Sequence, residues 1–338
     1  MTSSVRFGLV GAGRIGRVHA ETLVQRVPKA AVISITDINR AAAEDCAAAY
    51  GIPNVVANFD AMLADESLDA VVIASSTNTH APFLIKAAAA GKHIFCEKPI
   101  AADLAVIDDA LAAVQVAGVK LMLGFNRRFD ANHRRIKKAI EQGEIGTPHL
   151  MHIISRDPAP PPIEYVKVSG GMFFDMTIHD FDMARFLLGE VEEVYATGGV
   201  MVDPAIGEAG DIDTAVITLK FASGAIGTID NSRRAVYGYD QRVEVFGSQG
   251  AVRSDNLYPD AVTLSSARQV ARGLPMNFFM DRYLASYQAE LEAFVQCVAD
   301  DAPLPVTGAD GRAPVVLAMA ALRSFRENRP VKISEIGA

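Results

Sequence analysis

Residues 5–20 read VRFGLVGAGRIGRVHA. A short apolar run ends at a glycine, and GAGRIG (11–16) fits the pattern G-x-G-x-x-G. Gly11 permits a tight turn, Gly13 lets backbone approach a pyrophosphate, and Gly16 lets a helix pack closely on the strand. The spacing predicts strand, phosphate-cradling loop, and an Ala/Leu-rich helix to about Arg26. Glycines alone carry little weight, but strand before and helix after are the context the loop needs. A second apolar run, AVISITD (31–37), ends in Asp37, roughly 20 residues past the last glycine. An acid there hydrogen-bonds the adenosine ribose hydroxyls and repels a 2′-phosphate, which favours NAD over NADP. Arg40 nearby softens that preference. The expected cofactor contacts here are Gly11, Ala12, Gly13, Arg14 and Ile15 in the loop, then Asp37, Ile38 and Arg40.

Working outward, strand-like runs recur at DAVVIAS (69–75), HIFCEKP (93–99) and VKLMLGF (119–125), separated by helical sequence. They are continuously apolar rather than alternating, as in strands buried on both faces of a parallel sheet. The pattern predicts a doubly wound α/β domain of Rossmann type. Such sheets bind ligands at the carboxyl ends of their strands. Loops SSTNTH (75–80) and EKP (97–99) therefore add Ser75, Ser76, Thr77, Asn78, His80, Glu97 and Lys98 to the expected cofactor contacts. Asn78 or Thr79 would serve equally as a helix cap. Lys98 stands just past a buried strand, where its ammonium would reach a substrate hydroxyl or bias the pKa of a base. The plainer alternative is a solvated lysine paired with Glu97.

After about residue 125 the texture changes. Segments 196–202, 213–232 and 241–255 alternate partially with period two, and ASG and GSQG supply tight turns between them. Antiparallel hairpins with one covered face are expected. Two helical stretches, about 283–299 and 309–326, close the chain. The 338 residues are expected to form two domains: 1–125, nucleotide-binding, and 126–338, an α+β domain with an open, mainly antiparallel sheet. An open sheet needs cover, so a homo-oligomer is expected.

Composition narrows the partners. Lys and Arg number 32 against 40 Asp and Glu, a net charge of −8. No basic block stands out, which disfavours nucleic acid and anionic membranes. The three cysteines are too widely spaced for a disulfide framework or zinc knuckle. The start MTSSVRFGLVGAG lacks a basic region followed by a long apolar one, and no apolar run spans a bilayer. A cytoplasmic protein is expected.

One apolar stretch carries unexplained charge: GGMFFDMTIHDFDMAR (170–185). Taken as a helix over 175–188, Asp175, His179 and Asp182 share one stripe, while Asp180 falls off it. Gly170 and Gly171 allow a sharp turn or close backbone approach. The stripe needs something polar opposite it: water, a partner chain or a substrate. Its three side chains are also acceptable metal ligands. In GFNRRFD (124–130), Asn126 and Arg127 begin where the last Rossmann strand ends and are candidate substrate contacts. Asp157, the first residue of the proline-rich DPAPPPIEY, is another.

GAGRIGRVHA, ITD, SSTNTHA and CEKP together resemble the glucose–fructose oxidoreductase and inositol dehydrogenase family, and the resemblance covers nearly the whole chain. Within that family, RDPAPPPIEYVKVSGGMFFDMTIHDFDMARFLLGE is most similar to bacterial inositol 2-dehydrogenases. The resemblance implies a Rossmann domain, an open-sheet domain that assembles a tetramer, NAD or NADP as cofactor, and a ring polyol or sugar as substrate. It further implies Lys98, Asp175 and His179 as catalytic residues, also contacting substrate, and Tyr237 as a substrate contact.

The chemistry fits that constellation. Oxidising a secondary alcohol sends hydride to the nicotinamide and the hydroxyl proton to a base. A histidine takes that proton near neutral pH. A carboxylate orients the imidazole or binds a neighbouring hydroxyl, and Lys98 stabilises developing alkoxide charge. Lys98 as immediate proton acceptor is the competing assignment. With a lysine to polarise oxygen no metal is required, and none is expected. The leading expectation is NAD-dependent oxidation of myo- or scyllo-inositol to the inosose. The alternatives are a sugar dehydrogenase and, in a different class, a dinucleotide-binding regulator without turnover. The regulator predicts loss of the proton-handling residues, all of which are present.

Overall fold

The computed structural model describes residues 4–336. Residues 1–3, where the leader reading starts, and 337–338, the end of the second expected domain, lie outside the described residues. The chain forms two compact units, Met1–Phe129 with Ala285–Ala313, and Asp130–Leu284 with Pro314–Ala338.

The first unit is built on strands β1 (Val5–Val10), β2 (Ala30–Thr36), β3 (Asn54–Val55), β4 (Ala70–Ile73), β5 (His93–Cys96) and β6 (Leu121–Leu123). They form one sheet in the order β3-β2-β1-β4-β5-β6, with every pairing parallel. The connection direction reverses between β1 and β4, which opens a crevice at their carboxyl ends. The four residues of β4 are all buried, so the continuous apolar runs mean what a parallel sheet requires. Sequence placed the end of this domain at 125, yet Ala285–Ala313 packs within the same unit. Phe294, on the helix Phe279–Ala299, explains why. Its ring stands 6.1 Å from that of Phe7 and 5.8 Å from that of Phe95, and burying such a ring is worth about 1.5–3 kcal/mol.

The second unit contains β7 (Pro148–Arg156), β8 (Val191–Gly199), β9 (Thr214–Phe221), β10 (Ile226–Ser232), β11 (Asp240–Gly247), β12 (Gly250–Ser254), β13 (Thr263–Ser265), β14 (Val270–Arg272) and β15 (Val331–Lys332). Seven of them form a sheet in the order β12-β11-β7-β10-β9-β8-β15, and β13 pairs with β14 apart from it. The expected turns close the hairpins β9–β10 and β11–β12. The sheet is mainly antiparallel, with a parallel pairing of β10 on β7 at its centre. Along β9, Ala215, Ile217 and Leu219 are buried while Val216, Thr218 and Lys220 are exposed. On the uncovered face Leu150 is the register partner of both Ile226 and Phe246, and all three are about half exposed. Among the described residues, no helix is long and apolar enough to cross a membrane.

Candidate active site

The glycine loop performs the geometry its pattern implies. Gly11 has φ +105°, and a Cβ there would stand 2.4 Å from the Ala74 carbonyl oxygen. A Cβ on Gly16 would stand 2.0 Å from the Gly11 carbonyl oxygen, so helix and loop touch through backbone. Beside Gly13 nothing lies within 4 Å of a would-be Cβ. That open side is where a pyrophosphate fits. The helix Arg14–Gln25 starts at Gly13 with no side-chain cap and no acid in its first turn, which leaves its amide dipoles available to an anion. Ala12 is buried, Ile15 half-buried and Arg14 exposed.

Asp37 follows β2 directly. Its carboxylate accepts from the Ala12 amide at 2.7 Å and from the Asn39 amide at 2.7 Å, which locks it against the glycine loop. Ile38 is fully exposed. Arg40 opens the helix Arg40–Tyr50 and donates to Glu44 at 2.8 Å, so its charge is partnered on its own helix. These features fit a dinucleotide, and the Asp37 carboxylate lies against the loop.

The loop after β4 is organised by short polar bonds. Ser75 and Thr79 hydroxyls meet at 2.6 Å, and Thr79 donates to the Ser76 carbonyl at 2.7 Å. Ser76, Thr77 and Asn78 are exposed. His80, grouped by sequence with the cofactor contacts, is instead buried. Its ring nitrogens lie 2.8 Å from the Pro99 carbonyl oxygen and 3.0 Å from that of Ser75. Burial pushes its pKa down, against the two carbonyls. The ring is a brace between this loop and the Lys98–Pro99 turn.

Lys98 is half-buried, two residues past β5, and its peptide bond to Pro99 is cis. The plainer reading made Glu97 its surface partner. Glu97 is buried, and its carboxylate meets His19 Nε2 at 2.7 Å. Asn126 and Arg127, in the 3-10 turn Asn126–Phe129, are 3% and 6% exposed. Both are interior groups; among the described residues the Asn126 amide nitrogen has no hydrogen-bond partner.

In the second unit the expected continuous helix over 175–188 is two helices, Met172–Asp175 and Ile178–Leu188. Thr177 makes the break. Its amide reaches back five residues to the Met172 carbonyl at 3.0 Å, and its hydroxyl donates to Asn231 Oδ1 at 2.6 Å. Asp175 and His179 therefore flank a kink rather than share one helical stripe. Gly170 and Gly171, with φ +86° and +87°, turn the chain into the first short helix.

Asp175 is held from two sides. Tyr165 donates its hydroxyl to Oδ1 at 2.8 Å, and Arg233 Nη1 donates to Oδ2 at 3.1 Å. Arg233 is 1% exposed, and its Nη2 stands 3.6 Å from Asp211. Asp211 in turn accepts from the Met172 amide at 3.0 Å. Beneath, Asn231 donates to Asp180 at 2.9 Å. Asp180, set aside by the stripe, and Asp182, placed on it, are both fully buried. Asp157 is half-buried just past β7, with its backbone bonded to Ser232 and Ala235. Tyr237 is 36% exposed; its hydroxyl donates to Asp240 and accepts from Arg156. Tyr165, Arg233, Asp211 and Asn231 were not singled out from sequence. Asn231 alone carries a signal, a polar residue at a buried alternating position of β10.

A doubly wound sheet with an open glycine loop and an acid closing its second strand defines a dinucleotide-binding protein. Residues 5–125 match the model described as oxidoreductase family, NAD-binding Rossmann fold, and residues 133–253 the GFO/IDH/MocA C-terminal domain. The chain is 47% identical to myo-inositol 2-dehydrogenase of Thermotoga maritima, over 98% of this chain and 99% of that protein. It is 48% identical to inositol 2-dehydrogenase of Rhizobium meliloti, over 98% and 100%. A crystal structure of scyllo-inositol dehydrogenase from Lactobacillus casei, with bound NAD(H) and scyllo-inositol, superposes with TM-score 0.92 at 30% identity, over 98% of this chain and 100% of that one. The chain belongs to the GFO/IDH/MocA oxidoreductase family and is an NAD-dependent oxidoreductase.

Proposed function

We propose that the protein oxidises one secondary ring hydroxyl of an inositol, myo or scyllo, to the inosose. The observation that carries this reading is the near-complete alignment, at 47% and 48% identity, with two proteins named inositol 2-dehydrogenases. The chain retains Lys98, Asp175 and His179 together, which speaks against a regulator without turnover. A sugar dehydrogenase remains the second reading, because a pyranose presents the same ring geometry to the same groups.

Bound NAD supplies the hydride acceptor. His179 takes the hydroxyl proton, a task suited to imidazole near neutral pH. The Lys98 ammonium donates to the same oxygen and stabilises its growing negative charge. Asp175, fixed in place by Arg233 and Tyr165, accepts from substrate hydroxyls or orients the imidazole. Asn126, Arg127, Asp157 and Tyr237 are proposed to shape the polyol's surroundings, since a ring polyol needs many polar partners. Replacing His179 by Ala is expected to lower kcat by about 100-fold or more and to remove the acid limb of the pH–rate profile. Near-wild-type turnover with an unchanged profile would transfer the base role to Lys98.

The protein is further proposed to be a cytoplasmic homotetramer. The half-exposed apolar cluster of Leu150, Ile226 and Phe246 on the uncovered sheet face supports coverage by a second copy. A monomer in light scattering at micromolar concentration would contradict it.

A further inference from the structure

Several fully buried acids take no part in the mechanism, and Glu290 is the one that faces a second carboxylate. Glu290, on the helix Phe279–Ala299 in the first unit, is 0% exposed, and among the described residues neither of its carboxyl oxygens has a hydrogen-bond partner. One of its oxygens, a Glu97 oxygen and a His19 ring nitrogen all lie within 4.8 Å of one another. We propose that Glu290 is a neutral carboxylic acid in the folded protein and, by donating its proton to the Glu97 carboxylate, acts as a positioning residue for Lys98, the next residue in the chain.

The distribution of donors assigns the charges. Two ionised carboxylates cannot share a desolvated site at this separation, so one carries a proton. Glu97 has donors of its own: His19 Nε2 stands 2.7 Å from Oε1, and the Lys98 amide donates to Oε2 at 3.3 Å. Glu290 has none, so it is the acid. Burial first, and then the Glu97 charge, push its carboxyl well above the usual range. Among the described residues His19 Nδ1 is buried without a partner, so Nε2, 2.7 Å from Glu97, is the ring nitrogen that donates. Of the two carboxyls only Glu97 is then charged, next in sequence to the Lys98 ammonium.

The fold is shaped around that carboxylate. A Cβ on Gly124 would lie 3.1 Å from Glu97 Cδ and 3.2 Å from Oε2, so the chain after β6 leaves a slot free of side chain. The rings of Phe95 and Tyr287 stand edge-on to His19 at 5.2 and 5.8 Å. They make the surroundings apolar and strengthen each hydrogen bond inside. The same three groups are also a possible metal-ligand set. The His19–Glu97 contact of 2.7 Å is, however, a hydrogen-bond distance, whereas two ligands on one tetrahedral ion at bonds of about 2.1 Å stand roughly 3.4 Å apart. Held on both sides, Glu97 fixes the backbone from which Lys98 projects.

The positioning part rests on the role proposed for Lys98; the protonation part does not. Infrared difference spectra of the wild-type protein against Glu290→Gln at neutral pH are expected to show the carbonyl band of a protonated carboxyl, missing in the variant. Glu290→Gln keeps a donor and is expected to hold kcat within about twofold, whereas Glu290→Leu is expected to lower it by about tenfold, what one hydrogen bond is worth. The KM for NAD is expected to stay the same in both. Absence of the band, equal damage in both variants, or unchanged kcat in the Leu variant would overturn the proposal. So would a stoichiometric metal ion in purified protein that is lost in Glu290→Gln. If Lys98→Ala turns over normally, the role of Lys98 falls while the infrared band still decides the state of Glu290.

Discussion

Arg233 carries its charge in the interior between Asp175 and Asp211. Nothing local announces it. Its bond to Asp175 spans 58 residues, and in RRAVYGYD the sequence drew attention to Tyr237 instead. Lys98, Asp175 and His179 are proposed as catalytic from the family resemblance; what grips Asp175 was not legible, since a grip made across the fold leaves no spacing to read. Replacing Arg233 by Leu strands two carboxylates in a buried site. The expected cost is about 3–5 kcal/mol, read as a lower urea midpoint, with kcat falling along with it as Asp175 loses its hold. A variant as stable and as active as the wild type would show that Tyr165 alone suffices.

At the scale of elements, helical periodicity predicted the polar stripe but not the break at Thr177. A period of 3.6 sees spacing and is blind to a hydroxyl that finds a better acceptor in Asn231. The strand ends tell a similar story. Asp213, fully buried just before β9, accepts from the amides of Met201, Val202 and Asp203 and from the Thr214 hydroxyl. Burial raises its carboxyl pKa, but these donors outweigh burial and hold it below the usual value. A carboxyl whose folded pKa is depressed stabilises fully above its unfolded value and loses that contribution as pH falls through the folded one. Asp213→Asn leaves an amide unsatisfied and is expected to cost about 1–3 kcal/mol at neutral pH. The gap from wild type in urea unfolding is expected to narrow towards about pH 3, below the ordinary aspartate value. A constant gap would assign the cost to packing.

For the whole molecule, most of the architecture was legible because it rests on runs and turns. Apolar runs buried on both faces gave a parallel sheet, and alternation around ASG and GSQG gave hairpins. Two features escaped. The return of Ala285–Ala313 to the first unit depends on Phe294 meeting Phe7 and Phe95, and the parallel pairing of β10 with β7 joins strands far apart in sequence. The substrate is a property of the assembled protein, so its test belongs here. NADH formation should be followed with myo-, scyllo- and chiro-inositol and a panel of aldoses, with NADP in parallel. Turnover with at least one inositol above every aldose, and NAD preferred over NADP as expected from Asp37, is the predicted result. No activity on any inositol, or NADP outperforming NAD, would contradict it.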